Sequence, residues 1–513
     1  MSNRFDFGGV NLRASEESAV ARPMSETPFC IAILGDFSGR GNRGRIEPKA
    51  VGERRPHLVD RDNFDGVLLK LRPELYLPTE RGNPLVFRFS QLDDFHPDHL
   101  LENEAFQKLK ALRQRVQDSS TFAEIAEELG LRPPSAARES ESPRISAPSP
   151  ARLASGSLLD EMIEQTESRV ALQPARQTGE IQEFARQLAA KYSVSTPDPR
   201  QPDVVAAVDG AIGDTMRAIL HHPDFQALEA IWRATLLLVR QIETGPQLRI
   251  YLIDISKQEL AADLKASDDL RNSGTFRLLV EKAIDTPGAD PWTAVVGNFK
   301  FGSGSEDMAL LAKLAAVAQR AGAAFVGEAD PSLLGCSSLE AAPHPRDWSE
   351  SVSQDSWKQL RSRPESASVA LALPRFLLRL PYGQQTSPLE SFEFEEFPGP
   401  PSHDGYLWGN SAFVVALLLG QSFSEAGWEM RLGSLSQIEN LPLHTYRVEG
   451  DSQLKPCAEV LLTEEAVERI LDHGLIPLVS YKGRDSVRVG RFQSIAEPNR
   501  PLAGRWQAYP GTD

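Results

Sequence analysis

The stretch from residue 131 to residue 157, LRPPSAARESESPRISAPSPARLASGS, constrains this chain more than any other. Proline, serine, alanine and arginine dominate it, and its few apolar residues recur at neither a helical nor a strand period. A segment that cannot bury apolar surface cannot offset the entropy of ordering its backbone. It reads as a disordered linker and as a domain boundary. Folding must therefore happen on either side of it, and 513 residues leave room for two or more cores. The expected divisions are a flexible, Ser-rich segment over 1–27, a first domain over 28–130, a second over 158–495, and a polar tail over 496–513.

On the N-terminal side, PFCIAILGDFSGRGNRG predicts a buried strand from Phe29 to Leu34, then a glycine-rich turn. A phosphate cradle would need Gly-Lys-Ser/Thr after the last glycine, or GxGxxG opening a helix, and neither is there. The turn reads as a bare loop at a strand end. Asp60, Asp62 and Asp65 lack the glycine and distant glutamate of a calcium loop. Asp62 or Asn63 is instead expected to cap a helix carrying Phe64, Val67, Leu68 and Leu69. LVFRFS alternates as a strand through Leu85, Phe87 and Phe89. His96 and His99 flank Pro97 with no third ligand in view, which fits a polar turn better than a metal site. An amphipathic helix follows.

Beyond the linker, Leu158–Thr166 predicts a short helix with an acidic polar side and with Leu159, Met162 and Ile163 on one face, a face that either packs locally on the domain or offers itself to a partner. Ile212, Met216, Ile219 and Leu220 predict a longer helix, broken at His221-His222-Pro223 because the residue before a proline is pushed from helical angles. A second helix starts there, with Phe225, Leu228, Ile231 and Trp232 on its buried face and Asp224 placed to cap it. From Leu248 the pattern alternates. Ile250–Ile255, Ala294–Phe299 and Ala323–Val326 read as buried strands separated by helices, the mark of an α/β layer with parallel pairing. No glycine fingerprint follows any of them, so no dinucleotide site is expected.

Residues 368–383 read as a strand and an extended segment stopped by Pro374 and Pro381. Arg375 and Arg379 are expected to pair with Glu393, Glu395 and Glu396. LWGNSAFVVALLLGQSFSEAGW predicts a helix buried on most of its surface. EVLL predicts a strand, followed by a helix stopped at Gly474 and further short strands. There is no Gly-x-Ser-x-Gly elbow, no nameable triad, and no motif for a cofactor or metal, so no enzyme is expected.

The chain carries 71 acidic against 55 basic residues, a net charge of −16, which argues against general nucleic-acid binding. No apolar run approaches the roughly 18 residues that span a bilayer. The first residues lack the basic-then-apolar order of a secretory signal. Cys30, Cys336 and Cys457 are too scattered for a disulfide framework or zinc knuckle. A cytoplasmic protein is expected.

Longer strings carry a resemblance. Gly35–Gly39, Val59–Asp65 and Asp93–Pro97, in that order, are similar to the small subunit (TssB type) of the type VI secretion contractile sheath, over roughly 28–116. His221–Arg233, Gly288–Phe301, Leu373–Gly383, Leu407–Asn410, Ser422–Trp428, Glu439–Pro442 and Glu459–Lys482 resemble the large subunit (TssC type), over roughly 157–495. The chain looks like a natural fusion of the two, two sheath-type α/β domains with mixed sheets and flanking helices. The resemblance implies a structural subunit that self-associates or joins other sheath subunits, surrounds an inner tube protein, meets baseplate components and drives the tube's ejection. It implies that the helix of Leu158, Leu159, Met162 and Ile163 is where an AAA+ unfoldase grips. The family's large subunit continues past Phe492-Gln493-Ser494. The second expectation is therefore an accessory cap, baseplate or regulatory protein that lacks the family's C-terminal region and docks on a true sheath.

Overall fold

The computed structural model describes residue 23 and residues 26–78, 84–128, 198–267, 269–285, 289–349 and 354–507. The linker over 131–157 and the helix carrying Leu158, Leu159, Met162 and Ile163 lie outside the described residues. The chain divides into two compact units, one of Met1–Gln107 with Ile212–Asp513 and one of Lys108–Ala211.

Among its described residues the smaller unit is helical. Val116, Phe122, Ile125, Ala126 and Val208 are its buried apolar residues. The Gln201 side-chain amide donates to the carbonyls of Val116 and Gln117 at 2.8 and 3.0 Å, and Arg113 pairs with Asp209.

The larger unit is built on strands. Its N-terminal stretch supplies β1 (Phe29–Gly35), β2 (His57–Val59), β3 (Glu74–Leu77) and β4 (Leu85–Arg88). Then come β5 (Leu248–Asp254), β6 (Trp292–Phe301), β7 (Ala324–Ala329), β8 (Val369–Leu373) and β9 (Phe376–Leu377). The last are β10 (Trp408–Gly409), β11 (Gln437–Ile438), β12 (His444–Val448), β13 (Asp451–Lys455), β14 (Ile476–Ser480) and β15 (Val487–Val489).

Nine of these make one mixed sheet in the order β11-β15-β14-β8-β7-β6-β1-β5-β2. The six strands from β14 to β5 run parallel, and β2, β15 and β11 pair antiparallel at the two ends. The remaining strands form three two-stranded pairs. Parallel strands covered on both faces need apolar residues on both, and β1 (FCIAILG) and β8 (VALAL) are buried at every position. Alternate residues of β1 serve opposite layers. Cys30, Ala32 and Leu34 join the cluster holding Leu311, Leu314 and Ala318 of helix Ser305–Ala321. Phe29 turns the other way and meets Phe423 of helix Ala412–Ala426 at 4.7 Å between ring centres.

Several local expectations change. The helix expected to be capped by Asp224 starts with His222 as its cap, whose Nδ1 accepts the Asp224 N–H at 3.2 Å. Pro223 occupies the first helical position, so the cap moves one residue upstream of it and Asp224 falls in the first turn. Asn63 precedes helix Phe64–Leu71 but makes no side-chain cap, because its amide is spent on Asp60 and the Leu58 carbonyl. EVLL is not a strand: Glu459 donates its N–H to the Arg375 carbonyl beside an isolated bridge between Ala458 and Phe376, its carboxylate takes Arg375 and His403, and the pairing goes no further. The described part of the expected polar tail is packed down. Leu502 is fully buried, Trp506 nearly so, and Arg505 donates to the carbonyls of Trp292 and Ala321.

Candidate functional site at the seam of the two sequence halves

Residues before and after the linker meet inside the larger unit, and the backbone makes the first layer of that seam. β1 pairs with β5 from Phe29↔Leu248 to Gly35↔Asp254, and with β6 from Cys30↔Trp292 to Leu34↔Gly297, with one register shift after Cys30. The strand contributed from the N-terminal side is thus hydrogen-bonded along both edges to strands from beyond the linker. β2 adds to the far side of β5.

The glycine-rich turn after β1 makes the second layer, and it is not a bare loop. Asp36 accepts the N–H groups of Arg40 and Gly41, each at 2.7 Å. Gly39 has φ +71°, and a Cβ there would lie 2.3 Å from the Glu74 carbonyl oxygen, so this turn requires glycine. The turn aims Arg40 into the protein. Its guanidinium reaches Asp254 at 3.1 Å, Glu47 at 3.0 Å and Glu259 at 2.8 Å, with only 6% of the side chain exposed. Glu259 is wholly buried and also receives Arg54 at 2.9 Å and the Glu47 N–H at 2.9 Å. Ser38 donates its N–H and hydroxyl to Asp254 at 3.0 and 2.8 Å. Burial pushes the Asp36 carboxyl up; the Gly41 N–H opposes that, and the charge of Asp254 adds to it. A phosphate would have to displace Glu259 and Asp254 from the arginine, so the cage joins two stretches of chain and leaves no cradle.

Aromatic packing is the third layer. Trp232 donates its indole N–H to the Phe37 carbonyl at 3.0 Å and meets the rings of Phe37 and Phe64 edge-on at 5.3 and 5.7 Å. About two helix turns nearer the start, Phe225 meets Phe95 and Phe89 at 5.7 and 6.0 Å. Beyond it, Asp98 accepts the N–H groups of Glu390 and Ser391 at 3.0 and 3.2 Å, and Asn42 donates to Asp224 at 2.8 Å.

The helix carrying Trp232 is braced from behind. Glu229, fully buried, receives Arg233 at 2.6 Å and Arg379 at 2.9 Å. Arg379 continues to Glu396 at 2.8 Å, and Glu396 also accepts the Tyr382 N–H at 2.8 Å. Burial alone would raise the Glu396 carboxyl, but the Arg379 charge and the bonds from His221 and Tyr382 bring it down to about 2. Of the expected arginine pairs, Arg379–Glu396 forms. Arg375 instead joins Glu459, because the backbone after β8 turns it toward that residue.

Sequence reasoning passed over Arg40, Glu47, Arg54, Asp254 and Glu259. One signal was available, the Ser256-x-x-Glu259 capping box, in which Ser256 Oγ accepts the Glu259 N–H at 3.2 Å and Glu259 accepts back at 3.2 Å. Another was the repeated His-Pro-Asp. His96 accepts the Asp98 N–H at 3.3 Å just as His222 does with Asp224, which places His96 in a helix cap and turn. The three cysteines are buried, and burial pushes the Cys30 thiol up to about 12 and those of Cys336 and Cys457 up to about 11. Thiols held that high carry little nucleophilic thiolate. No three His, Cys, Asp or Glu side chains among the described residues are grouped to hold a metal ion, and no described helix is long and apolar enough to cross a membrane.

Residues 202–496 match the family model for EvpB/VC_A0108, tail sheath N-terminal domain, and that is more than half of the chain. The chain belongs to the tail-sheath family. Residues 9–129 match a second family model, for type VI secretion system VipA, VC_A0107 or Hcp2. The type VI secretion system sheath protein TssC1 of Pseudomonas aeruginosa PAO1 is 32% identical over 304 residues. That alignment takes in 58% of this chain and 61% of the relative, so the chain spans less than two thirds of that sheath protein's length. The tail-sheath match contains β5 to β15 and the VipA match contains β1 to β4. This is a fused TssB-type and TssC-type sheath protein, and the seam is where its two family segments become one sheet.

Proposed function

We propose that this chain is a structural subunit of a type VI secretion contractile sheath, one polypeptide doing the work of a small and a large subunit. The observation that carries the reading is the interleaving of the two family-matched segments, with β1 of the first lodged between β5 and β6 of the second. A sheath transmits force through its subunits. A strand hydrogen-bonded on both edges in mid-sheet is loaded by all its bonds together and separates only when the sheet does. In this reading the chain performs no covalent chemistry. It self-associates in the cytoplasm around an inner tube protein, docks on baseplate components and drives the tube outward. Leu158, Leu159, Met162 and Ile163 would offer an apolar helix face to an AAA+ unfoldase after contraction.

Electron microscopy of the purified full-length protein, with sizing chromatography on the same sample, tests the assignment. Tubes or stacked rings are expected. A discrete, monodisperse particle at every concentration and salt tried would overturn the self-assembling subunit in favour of a cap or adaptor. Deleting Leu158–Thr166 is expected to abolish unfoldase binding while leaving assembly intact; unchanged binding would remove that role.

A further inference from the structure

β1 has no open edge. All seven of its residues are buried and paired to β5, and five of them also pair with β6. Another strand of the same kind can enter this sheet only after β1 has left. Leaving would uncover two neighbouring strands, and it would withdraw Arg40 and Arg54 from the fully buried Glu259. A buried carboxylate stripped of its partners is among the costlier defects a protein can carry.

The covalent join adds to this barrier. A segment tethered to its own binding site is held there at an effective concentration on the order of 1 mM, so a free competitor at about 1 μM starts with roughly a thousandfold handicap. Close backbone contact on the same seam leaves no slack for a looser arrangement. A Cβ on Gly274 would fall 2.6 Å from the Gly52 nitrogen, and Lys282 donates to the Gly52 carbonyl at 2.6 Å.

We propose that the seam closes within each chain, so that this protein excludes separately encoded small sheath subunits. It would stay apart from any two-gene sheath sharing the cell. The proposal rests on the sheath reading only for the identity of the competitor.

The test co-expresses the affinity-tagged full-length chain with a separately encoded small sheath subunit that matches the same VipA-type model. The purified sample is then treated with a carbodiimide, which joins a lysine amine directly to an adjacent carboxylate. Lys282 lies 3.4 Å from Glu53 across the seam, and their side chains are 43% and 70% exposed. The expected result is recovery of the free subunit at under about 1% of the tagged chain, from the thousandfold handicap, with Lys282 joined to the chain's own Glu53. Recovery near one to one, or Lys282 joined to a carboxylate of the free subunit, would overturn the proposal. Neither readout needs a filament, so a chain that makes no tubes yet excludes the competitor would count against the sheath function and leave this inference standing.

Discussion

At the scale of single residues, the seam depends on a few charges whose burial makes each partner necessary. Removing one member of a buried ion pair typically costs about 3–5 kcal/mol, because the survivor keeps its desolvation cost. Arg54 still reaches Glu259, so Arg40→Ala is expected toward the lower end of that range in urea unfolding. The double variant Arg40→Ala with Glu259→Gln is expected to recover part of the loss. A second prediction concerns Glu328 on β7, buried between Lys300 and Arg375. Burial raises its carboxyl to about 7 against those two positive charges. A folded-state value above the unfolded value of 4.5 means that this group's stability contribution is complete below pH 4.5 and is lost as pH rises through 7. Glu328→Gln should therefore flatten the decline between pH 4.5 and 7 and gain on the order of 3 kcal/mol at pH 8. An unaltered pH profile would contradict the placement of Glu328. Little of this was legible in the sequence. Arg40 sits in a glycine-rich stretch that looks like any surface loop, and two of its three partners, Asp254 and Glu259, arrive from more than 200 positions away.

At the scale of elements, much more could be read. The β1 run, the β5 to β8 alternation and the apolar helix Ala412–Ala426 announce themselves because full burial on both faces demands unbroken apolar sequence. The short pairs β9–β10 and β12–β13 do not: two buried residues per strand are too few to show a period, and β12 and β13 are largely exposed with no clean alternation of apolar residues. Helix starts were less legible: the helix read from Ile212 begins at Gln201, and the one expected to be capped by Asp224 begins at Pro223, where His222 takes the role usually given to Asp, Asn, Ser or Thr. The helix Pro223–Gln241 concentrates the seam's apolar contacts in Trp232 and Phe225. Trp232→Ala is expected to cost about 3–5 kcal/mol in equilibrium unfolding, as for other fully buried aromatic residues. Leu69, 57% exposed on helix Phe64–Leu71, serves as the comparison. Leu69→Ala should stay within about 0.5 kcal/mol of the parent. Equal losses at the two sites would mean that the packing described around Trp232 is wrong.

At the scale of the whole molecule, the linker composition suggests a division of the sequence but says nothing of how the pieces recombine. Composition marks a segment that cannot fold. It carries no information on strand order, and the insertion of β1 between two strands that follow each other in the chain leaves no local trace. The family resemblance supplied the two names, and the sheet supplied their union. That union is the central claim, and amide hydrogen exchange on the full-length protein tests it most directly. The account predicts that the amides of β1 exchange as slowly as those of β6 and β7, opening only with global unfolding. Exchange of Phe29–Gly35 within minutes, while β6 and β7 stay protected, would show that the N-terminal strand is not part of this sheet.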